Sequence, residues 1–166
     1  MHNRFGFTLI ELLIVISIIG VIALIGVAAY MSVSKSGRDS KRQSDLKVIQ
    51  SEMERYYADQ GFYPAESAMQ TILGNGNAFT SSIGNPSPPS SVKTYLNKTP
   101  ENISSDDYSY KAIPTGCANT VGSKCTSYCL YSTVENTNSV PSNTNRYNNP
   151  PGSCALSGYN FAVSPP

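Results

Sequence analysis

Glu11 is the residue of this sequence that most directly suggests chemistry, because it is a lone carboxylate in an apolar stretch. No other Asp, Glu, Lys, Arg or His occurs between Phe5 and Ser34. A carboxylate inside a membrane helix costs about 2.5–3.5 kcal/mol on insertion scales and usually serves a function, such as pairing with a cation. The alternative is that Glu11 lies near the lipid headgroups and is simply hydrated. Glu11 alone does not decide between these two interpretations.

The four cysteines form a second group of reactive side chains: Cys117, Cys125, Cys129 and Cys154. In an oxidising compartment an even number of cysteines predicts two disulfides, here with three possible connectivities. A zinc site is the competing interpretation, but the spacings contain no C-x-x-C pair, and the only histidine is His2. A nucleophilic cysteine needs a base to activate it, and no histidine follows His2. We therefore expect disulfides, no metal and no catalytic thiol.

The overall composition excludes further classes of function. The chain has 12 basic and 11 acidic side chains, a formal net charge of +1, and 14% charged residues against roughly 25% in an ordinary soluble domain. A near-neutral balance gives no reason to expect nucleic acid as a partner. A hydrolase built on a catalytic histidine is also disfavoured. We expect a protein that is not an enzyme, carries no cofactor and binds no nucleic acid.

The segment Phe7–Ala29 predicts a membrane helix. Its 23 residues are long enough, at about 1.5 Å per residue, to cross a hydrocarbon core of about 30 Å. A cleaved secretory signal has a shorter apolar region that is followed by a small-residue cleavage site, and no such site occurs here. We therefore interpret the segment as a retained helix.

The helical pattern continues beyond the apolar segment and predicts one helix from about Phe7 to Asp59. Gly61 is expected to cap it in the left-handed conformation. One face carries an apolar stripe with helical spacing, and charged side chains supply the solvent face. The stripe consists of Leu46, Ile49, Met53 and Tyr56, and the solvent face of Lys41, Arg42, Asp45, Lys47, Glu52 and Glu54.

The rest of the chain predicts a small, loop-rich β region. Alternating patterns indicate three short strands, which are too few for a core of their own and are expected to cover the apolar stripe of the helix. The sequence therefore predicts an α+β fold, with a long N-terminal helix packed on a small antiparallel sheet. The predicted strands are 108–113, 128–135 and 159–163, and long loops are predicted at 75–91 and 136–152.

The N-terminal run from Arg4 to Leu13, RFGFTLIELL, resembles the class III signal of type IV pilins and pseudopilins. A short basic leader, a glycine, a phenylalanine and then a glutamate four residues later precede an apolar helix in that family. The resemblance implies that a prepilin peptidase cleaves between Gly6 and Phe7 and methylates the new Phe7 amine. It also implies that Glu11 pairs with the Phe7 ammonium of a neighbouring subunit in a filament. An intrachain pair is the alternative, since four residues make one helical turn.

The resemblance extends along the helix to the run YYADQGFYP, residues 56–64, and fades in the head. Gly20 and Gly26 lie where the helix would loosen on assembly, or alternatively where it would pack closely against other membrane helices. Pilins commonly close a loop near the C-terminus with a disulfide, which suggests Cys129, in a predicted strand, and Cys154 as one pair. The major pseudopilin of type II secretion typically holds calcium in a C-terminal loop, but residues 136–166 contain no acidic side chain. Calcium prefers carboxylate ligands, so this absence favours a pilin.

The expected organisation has four parts: a leader, 1–6; an assembly half of the helix, 7–29; an amphipathic half, 30–60; and a β head with four cysteines, 61–166. The expected function is that of a structural subunit of a type IV pilus. Its expected partners are copies of itself, other pilins, the prepilin peptidase and the inner-membrane assembly machinery. We expect it in the bacterial cytoplasmic membrane, as a single-pass protein with its head outside the cytoplasm, and then in the extracellular pilus. The alternatives are a type II secretion pseudopilin and a monomeric, membrane-anchored surface-binding protein.

Overall fold

The computed structural model describes residues 7–87, 89–103, 107–136 and 159–165. Two compact units divide the chain, the first ending at Gly37 and the second beginning at Arg38. The long N-terminal helix and the small antiparallel sheets make this the α+β fold that the sequence predicts. The elements are α1 (Leu9–Gln60), α2 (Glu66–Gln70), β1 (Phe79–Thr80), β2 (Thr94–Leu96), β3 (Tyr108–Ile113), β4 (Ser127–Ser132) and β5 (Phe161–Val163).

The first unit consists of the apolar start of α1. Its large hydrophobic side chains are exposed throughout, with Phe7 at 88% and Leu24 at 77% of their full accessibility. By length and apolar composition, α1 is the one helix in the described part of the chain that qualifies to cross a membrane. Such a surface is stable only where lipid or other apolar helices cover it.

The start and end of α1 agree closely with the sequence prediction. The helix begins at Leu9 rather than Phe7 and ends at Gln60 rather than Asp59. Gly61 caps it as predicted, with a φ of +73°, and its N–H donates to the Tyr57 carbonyl oxygen at 2.8 Å. Glycine reaches this left-handed conformation without the steric cost that a β-carbon would add.

In the second unit, the predicted apolar stripe of α1 is the centre of the hydrophobic core. Its four residues are fully buried, and they share one cluster with side chains from α2, both small sheets and the intervening loops. The expectation that the strands cover the stripe is confirmed. The core residues named by the sequence are Leu46, Ile49, Met53 and Tyr56; among their partners are Met69, Phe79, Tyr110, Tyr128, Leu130 and Phe161.

The three predicted strands form one antiparallel sheet in the order β3-β4-β5. Tyr110 pairs with Leu130, and Leu130 in turn pairs with Val163. The strand β3 has the predicted bounds, whereas β4 ends at Ser132 instead of residue 135 and β5 begins at Phe161 instead of residue 159. Asn136 is the last described residue of the predicted loop 136–152, and the remainder lies outside the described residues.

The predicted loop 75–91 is wrong in part, because it contains the strand β1. Phe79 pairs with Leu96, so that β1 and β2 form a second, two-stranded antiparallel sheet. The short helix α2 was also not predicted. The core side chains Phe79 and Met69 anchor β1 and α2. Both elements are too short to show a periodic pattern in the sequence.

Tyrosine hydroxyls from the rest of the second unit hold α1 through its carboxylates. Each hydroxyl donates a hydrogen bond to an acidic side chain at the border of the apolar stripe, so these acids serve the packing of the helix as well as its solvation. The pairs are Tyr108 with Asp45 at 2.6 Å, Tyr128 with Glu54 at 3.1 Å and Tyr95 with Asp59 at 2.9 Å.

Candidate assembly site at the start of the N-terminal helix

Glu11 closes a reciprocal cap at the start of α1. Thr8 immediately precedes the helix, and its backbone N–H donates to Glu11 Oε2 at 2.9 Å. The Thr8 hydroxyl donates to the same oxygen at 2.7 Å, and the Glu11 N–H donates to Thr8 Oγ1 at 3.3 Å. This is a capping box, in which two helix-terminal N–H groups without intrahelical partners are satisfied together.

The cap fixes the direction of the Glu11 carboxylate. It is held against the first turn of the helix, where the positive end of the helix dipole favours a negative charge. Oε2 accepts the Thr8 bonds, while Oε1 accepts no hydrogen bond from any residue that the structure describes. The arrangement therefore offers one carboxylate oxygen to an ammonium from outside the helix. The T-x-x-E spacing of Thr8 and Glu11 is the sequence signal for this cap, which was not predicted.

The residues of the predicted cleavage site are only partly described. Gly6 lies outside the described residues, and Phe7 precedes the cap with its ring exposed. Cleavage between them would place a new ammonium one residue before Thr8, at the same end of the helix as the Glu11 carboxylate. The predicted cleavage and methylation stay predictions.

Gly20 and Gly26 lie within α1, and neither makes a close packing contact with the part of the chain that the structure describes. A β-carbon built on either glycine meets no atom within 4 Å. Two roles remain for them: the helix loosens at these positions, or it packs there against other helices. The sequence left these two roles open as alternatives, and both stay predictions.

The cysteines are oxidised wherever the structure describes them. Cys117 is bonded to Cys125, and Cys129, which lies on β4 as predicted, is also disulfide-bonded. Cys154 lies outside the described residues, so its pairing with Cys129 stays a prediction. Within the described ranges, no group of three or more His, Cys, Asp or Glu side chains is arranged to hold a metal ion.

The sequence prediction for Arg42 is wrong, because this residue is buried rather than on the solvent face. Arg42 is 2% exposed and lies between two fully buried carboxylates, Asp39 at 2.9 Å and Asp107 at 3.2 Å. Glu135 accepts a further bond from Arg42 at 3.2 Å. A buried guanidinium needs such partners, because an unpaired charge in the interior costs several kcal/mol.

This cluster joins α1 to the chain that follows β4. Asp39 accepts the backbone N–H groups of Glu135 at 2.8 Å and Asn136 at 2.7 Å. Arg38 donates two hydrogen bonds to the Glu135 carboxylate, and these bonds lower the pKa of Glu135 to about 2. The sequence contained a signal for the burial of Asp39 and Arg42. Both residues continue the helical spacing of the apolar stripe, at positions 39, 42, 46, 49, 53 and 56, and so lie on its buried side.

The N-terminus also matches a known family. Residues 1–27 match the family model described as the prokaryotic N-terminal methylation motif, a stretch that contains Gly6, Phe7, Glu11, Gly20 and Gly26. No curated protein and no solved structure matches the chain.

Proposed function

We propose that this chain, a type IV pilin or pseudopilin-type protein by its class III signal, is a structural subunit of a type IV pilus filament and not an enzyme. The methylation motif, which includes the start of an exposed apolar helix with one carboxylate, carries this proposal. In it, the prepilin peptidase removes residues 1–6 and methylates Phe7. The processed subunit then polymerises through α1.

The chemistry of assembly follows from the cap at the start of α1. In the membrane, Glu11 lies at one end of the apolar segment, close enough to the headgroups to keep some water. In a filament, the same carboxylate enters a bundle of Leu and Ile side chains from neighbouring subunits. A buried carboxylate needs a partner, and the methylated Phe7 ammonium of an adjacent subunit supplies it at the Oε1 face that the Thr8 cap leaves open.

The exposed apolar surface of α1 accounts for the partners and the location that we propose. Before assembly, the helix crosses the bacterial cytoplasmic membrane once, with the second unit outside the cytoplasm. During assembly, the inner-membrane machinery transfers the helix from lipid to the core of the filament. Copies of the chain and other pilins then cover the apolar surface that lipid covered before.

A type II secretion pseudopilin is the second candidate, since the same signal serves both kinds of filament. Calcium sites require several oxygen ligands, which are usually carboxylates. The segment 136–166 contains neither Asp nor Glu, and Glu135 is committed to Arg38 and Arg42. This composition supports a pilus subunit over the calcium-holding pseudopilin.

Fibre yield from cells that express Glu11 variants tests the proposal. Glu11→Ala should abolish surface fibres while the membrane fraction keeps normal subunit levels, because removing one member of a buried pair costs about 3–5 kcal/mol. Glu11→Gln should also impair assembly, since it keeps the shape but loses the charge. Ser17→Ala is the matched control in the same helix, since the Ser17 hydroxyl donates to the Leu13 carbonyl oxygen of the same helix at 2.8 Å. Normal fibres from Glu11→Ala would contradict the proposal.

A further inference from the structure

The loop that the Cys117–Cys125 disulfide closes has a defined backbone conformation. Both cysteines are buried and bonded to each other. Inside the loop, the N–H groups of Ala118 and Asn119 donate to the Ser123 carbonyl oxygen at 3.2 Å and 2.9 Å. The disulfide and these two hydrogen bonds together determine where the side chain of Asn119 lies.

Asn119 joins this loop to the rest of the second unit. Its φ of +57° lies in the left-handed region, which asparagine adopts more readily than most residues. Its side-chain amide donates to the Tyr63 carbonyl oxygen at 2.9 Å and to the Gly84 carbonyl oxygen at 2.8 Å. Its Oδ1 accepts the Cys125 N–H at 2.9 Å. One buried side chain thus bonds three separate stretches of backbone.

The loop fastens the chain that leaves α1. Tyr63 comes shortly after the end of α1, and its N–H donates to the Cys125 carbonyl oxygen at 2.9 Å, so both of its backbone polar groups bond the loop. Gly84 lies so close to the same stretch that a β-carbon built on it would be 2.4 Å from the Ala65 nitrogen. The loop therefore holds together the chain after α1 and the turn at Gly84.

The docked loop also covers the disulfide that closes it. Cys125 is fully buried, and Cys117, although it borders a groove of the same unit, is only 6% exposed. Thiol–disulfide exchange requires a thiolate to reach one of the two sulfurs, so its rate depends on access. The burial of both cysteines therefore limits exchange for as long as the loop stays docked.

We propose that Asn119 is a latch that protects the Cys117–Cys125 disulfide from thiols, and that cleavage of this bond in turn releases the latch. When the hydrogen bonds of Asn119 open, an external thiolate attacks one sulfur, forms a mixed disulfide and releases the other cysteine as a thiolate. A second thiol completes the step, so that two external thiols are oxidised to a disulfide and the cysteine pair is reduced to two thiols. This latch goes beyond the proposed function, because it needs only the folded second unit and no filament.

Reduction of the full chain in detergent by dithiothreitol tests the protection. Alkylation and peptide mapping report the Cys117–Cys125 bond separately from the disulfide of Cys129. The wild-type bond should persist at a thiol concentration that cleaves it in urea. Asn119→Gly keeps the positive φ accessible but removes three hydrogen bonds, so it should speed cleavage about tenfold or more. Equal rates in the wild-type chain and Asn119→Gly would overturn the latch.

Two control variants separate a local latch from a general loss of stability. Val121→Ala changes a fully exposed side chain of the same loop and should leave the rate of cleavage unchanged. Ile49→Ala weakens the core through α1 and should also leave the rate unchanged, because local opening of the loop does not require global unfolding. Acceleration by Ile49→Ala equal to that by Asn119→Gly would show that the whole unit must unfold first, which would overturn the latch.

Hydrogen exchange tests the reverse coupling, from the disulfide to the latch. In the Cys117→Ser/Cys125→Ser double variant, the Tyr63 N–H should exchange severalfold faster than in the wild-type chain, because its acceptor lies in the released loop. Asn119→Gly should speed the same exchange with the disulfide intact. Unchanged protection of α1 around Met53 would show that both variants are folded. Wild-type exchange at Tyr63 in either variant would overturn the coupling.

Discussion

Thr8 determines how the Glu11 carboxylate is presented. Its hydroxyl and its backbone N–H both bond the same carboxylate oxygen, and the helix begins at the next residue. The role of Glu11 was predicted from its position in the signal and stays a prediction, whereas the Thr8 bonds that orient its carboxylate were not predicted. A reciprocal cap of this kind can be read from the T-x-x-E spacing, and it converts an isolated charge into an oriented one.

Removal of the Thr8 hydroxyl should weaken both the cap and assembly. Thr8→Ala is expected to cost about 0.5–2 kcal/mol of helix stability at the first turn and to lower fibre yield. Thr8→Ser keeps the hydroxyl and should retain most of the yield. The measurement is the fibre fraction at equal membrane levels of each variant. Equal yields from the alanine and serine variants would show that the hydroxyl does not position Glu11.

Arg42 should contribute more to folding than any other charged side chain of α1. Arg42→Ala leaves Asp39 and Asp107 buried without their cation, so the free energy of unfolding should fall by about 3–5 kcal/mol. Arg55→Ala is the control on the same helix, since the Arg55 side chain is 54% exposed and pairs with Glu52 one turn away; its effect should stay within about 1 kcal/mol. Urea unfolding of the full chain in detergent, followed by tyrosine fluorescence, measures both. A loss for Arg42→Ala no larger than that of the control would contradict this role.

The amphipathic half of α1 was the element most accurately predicted from the sequence. Helical spacing identified its four core residues because a long element with a regular period repeats its signal several times. The elements that were missed, α2, β1 and β2, have two to five residues each. A pattern that short carries no period, and the pairing of Phe79 with Leu96 depends on contacts far apart in sequence. Arg42 was wrongly predicted on the solvent face because its charge suggested exposure, whereas its position on the stripe indicated burial.

Two adjacent residues of α1 provide a direct test of the buried stripe. Ile49 is fully buried, and its replacement by alanine should cost about 2–5 kcal/mol through lost contacts and the cavity that remains. Val48, the residue before it, is 45% exposed, and Val48→Ala should change the free energy of unfolding by only about 0.5 kcal/mol. Chemical denaturation of both variants in detergent measures this difference. Equal losses of unfolding free energy in the two variants would show that Ile49 is not part of the core.

The head as a whole should lose stability in acid through Glu135. The Arg38 hydrogen bonds hold the pKa of Glu135 at about 2, below its ordinary value of 4.5. A carboxyl whose pKa is lowered by folding stabilises the fold above its unfolded pKa, and this contribution is lost as the pH falls through the folded pKa. Stability should therefore decline between about pH 5 and pH 2.

Glu135→Gln isolates this contribution, because glutamine keeps much of the shape but does not titrate. The melting temperature of the variant should fall less steeply than that of the wild-type chain over the same pH range. Thermal unfolding at a series of pH values measures both slopes. Identical slopes would mean that Glu135 does not make the stability of the head depend on pH.

In the proposed function, the whole chain passes from a membrane to a filament, and its processing is the step that allows this passage. The first unit exposes apolar side chains along its length, and the second carries its own core. We propose that the Phe7 amine is created between the membrane state and the filament state. In this proposal, the amine is the cation that Glu11 meets inside the filament.

Intact-mass analysis of the chain recovered from sheared surface fibres tests the proposed processing most directly. The account predicts a subunit that begins at Phe7, lacks residues 1–6 and carries one additional methyl group on its N-terminus. Replacement of Gly6 by a bulky residue should leave the unprocessed precursor in the membrane fraction. A fibre subunit that retains Met1, or a mature chain that begins near Ala29, would contradict the account.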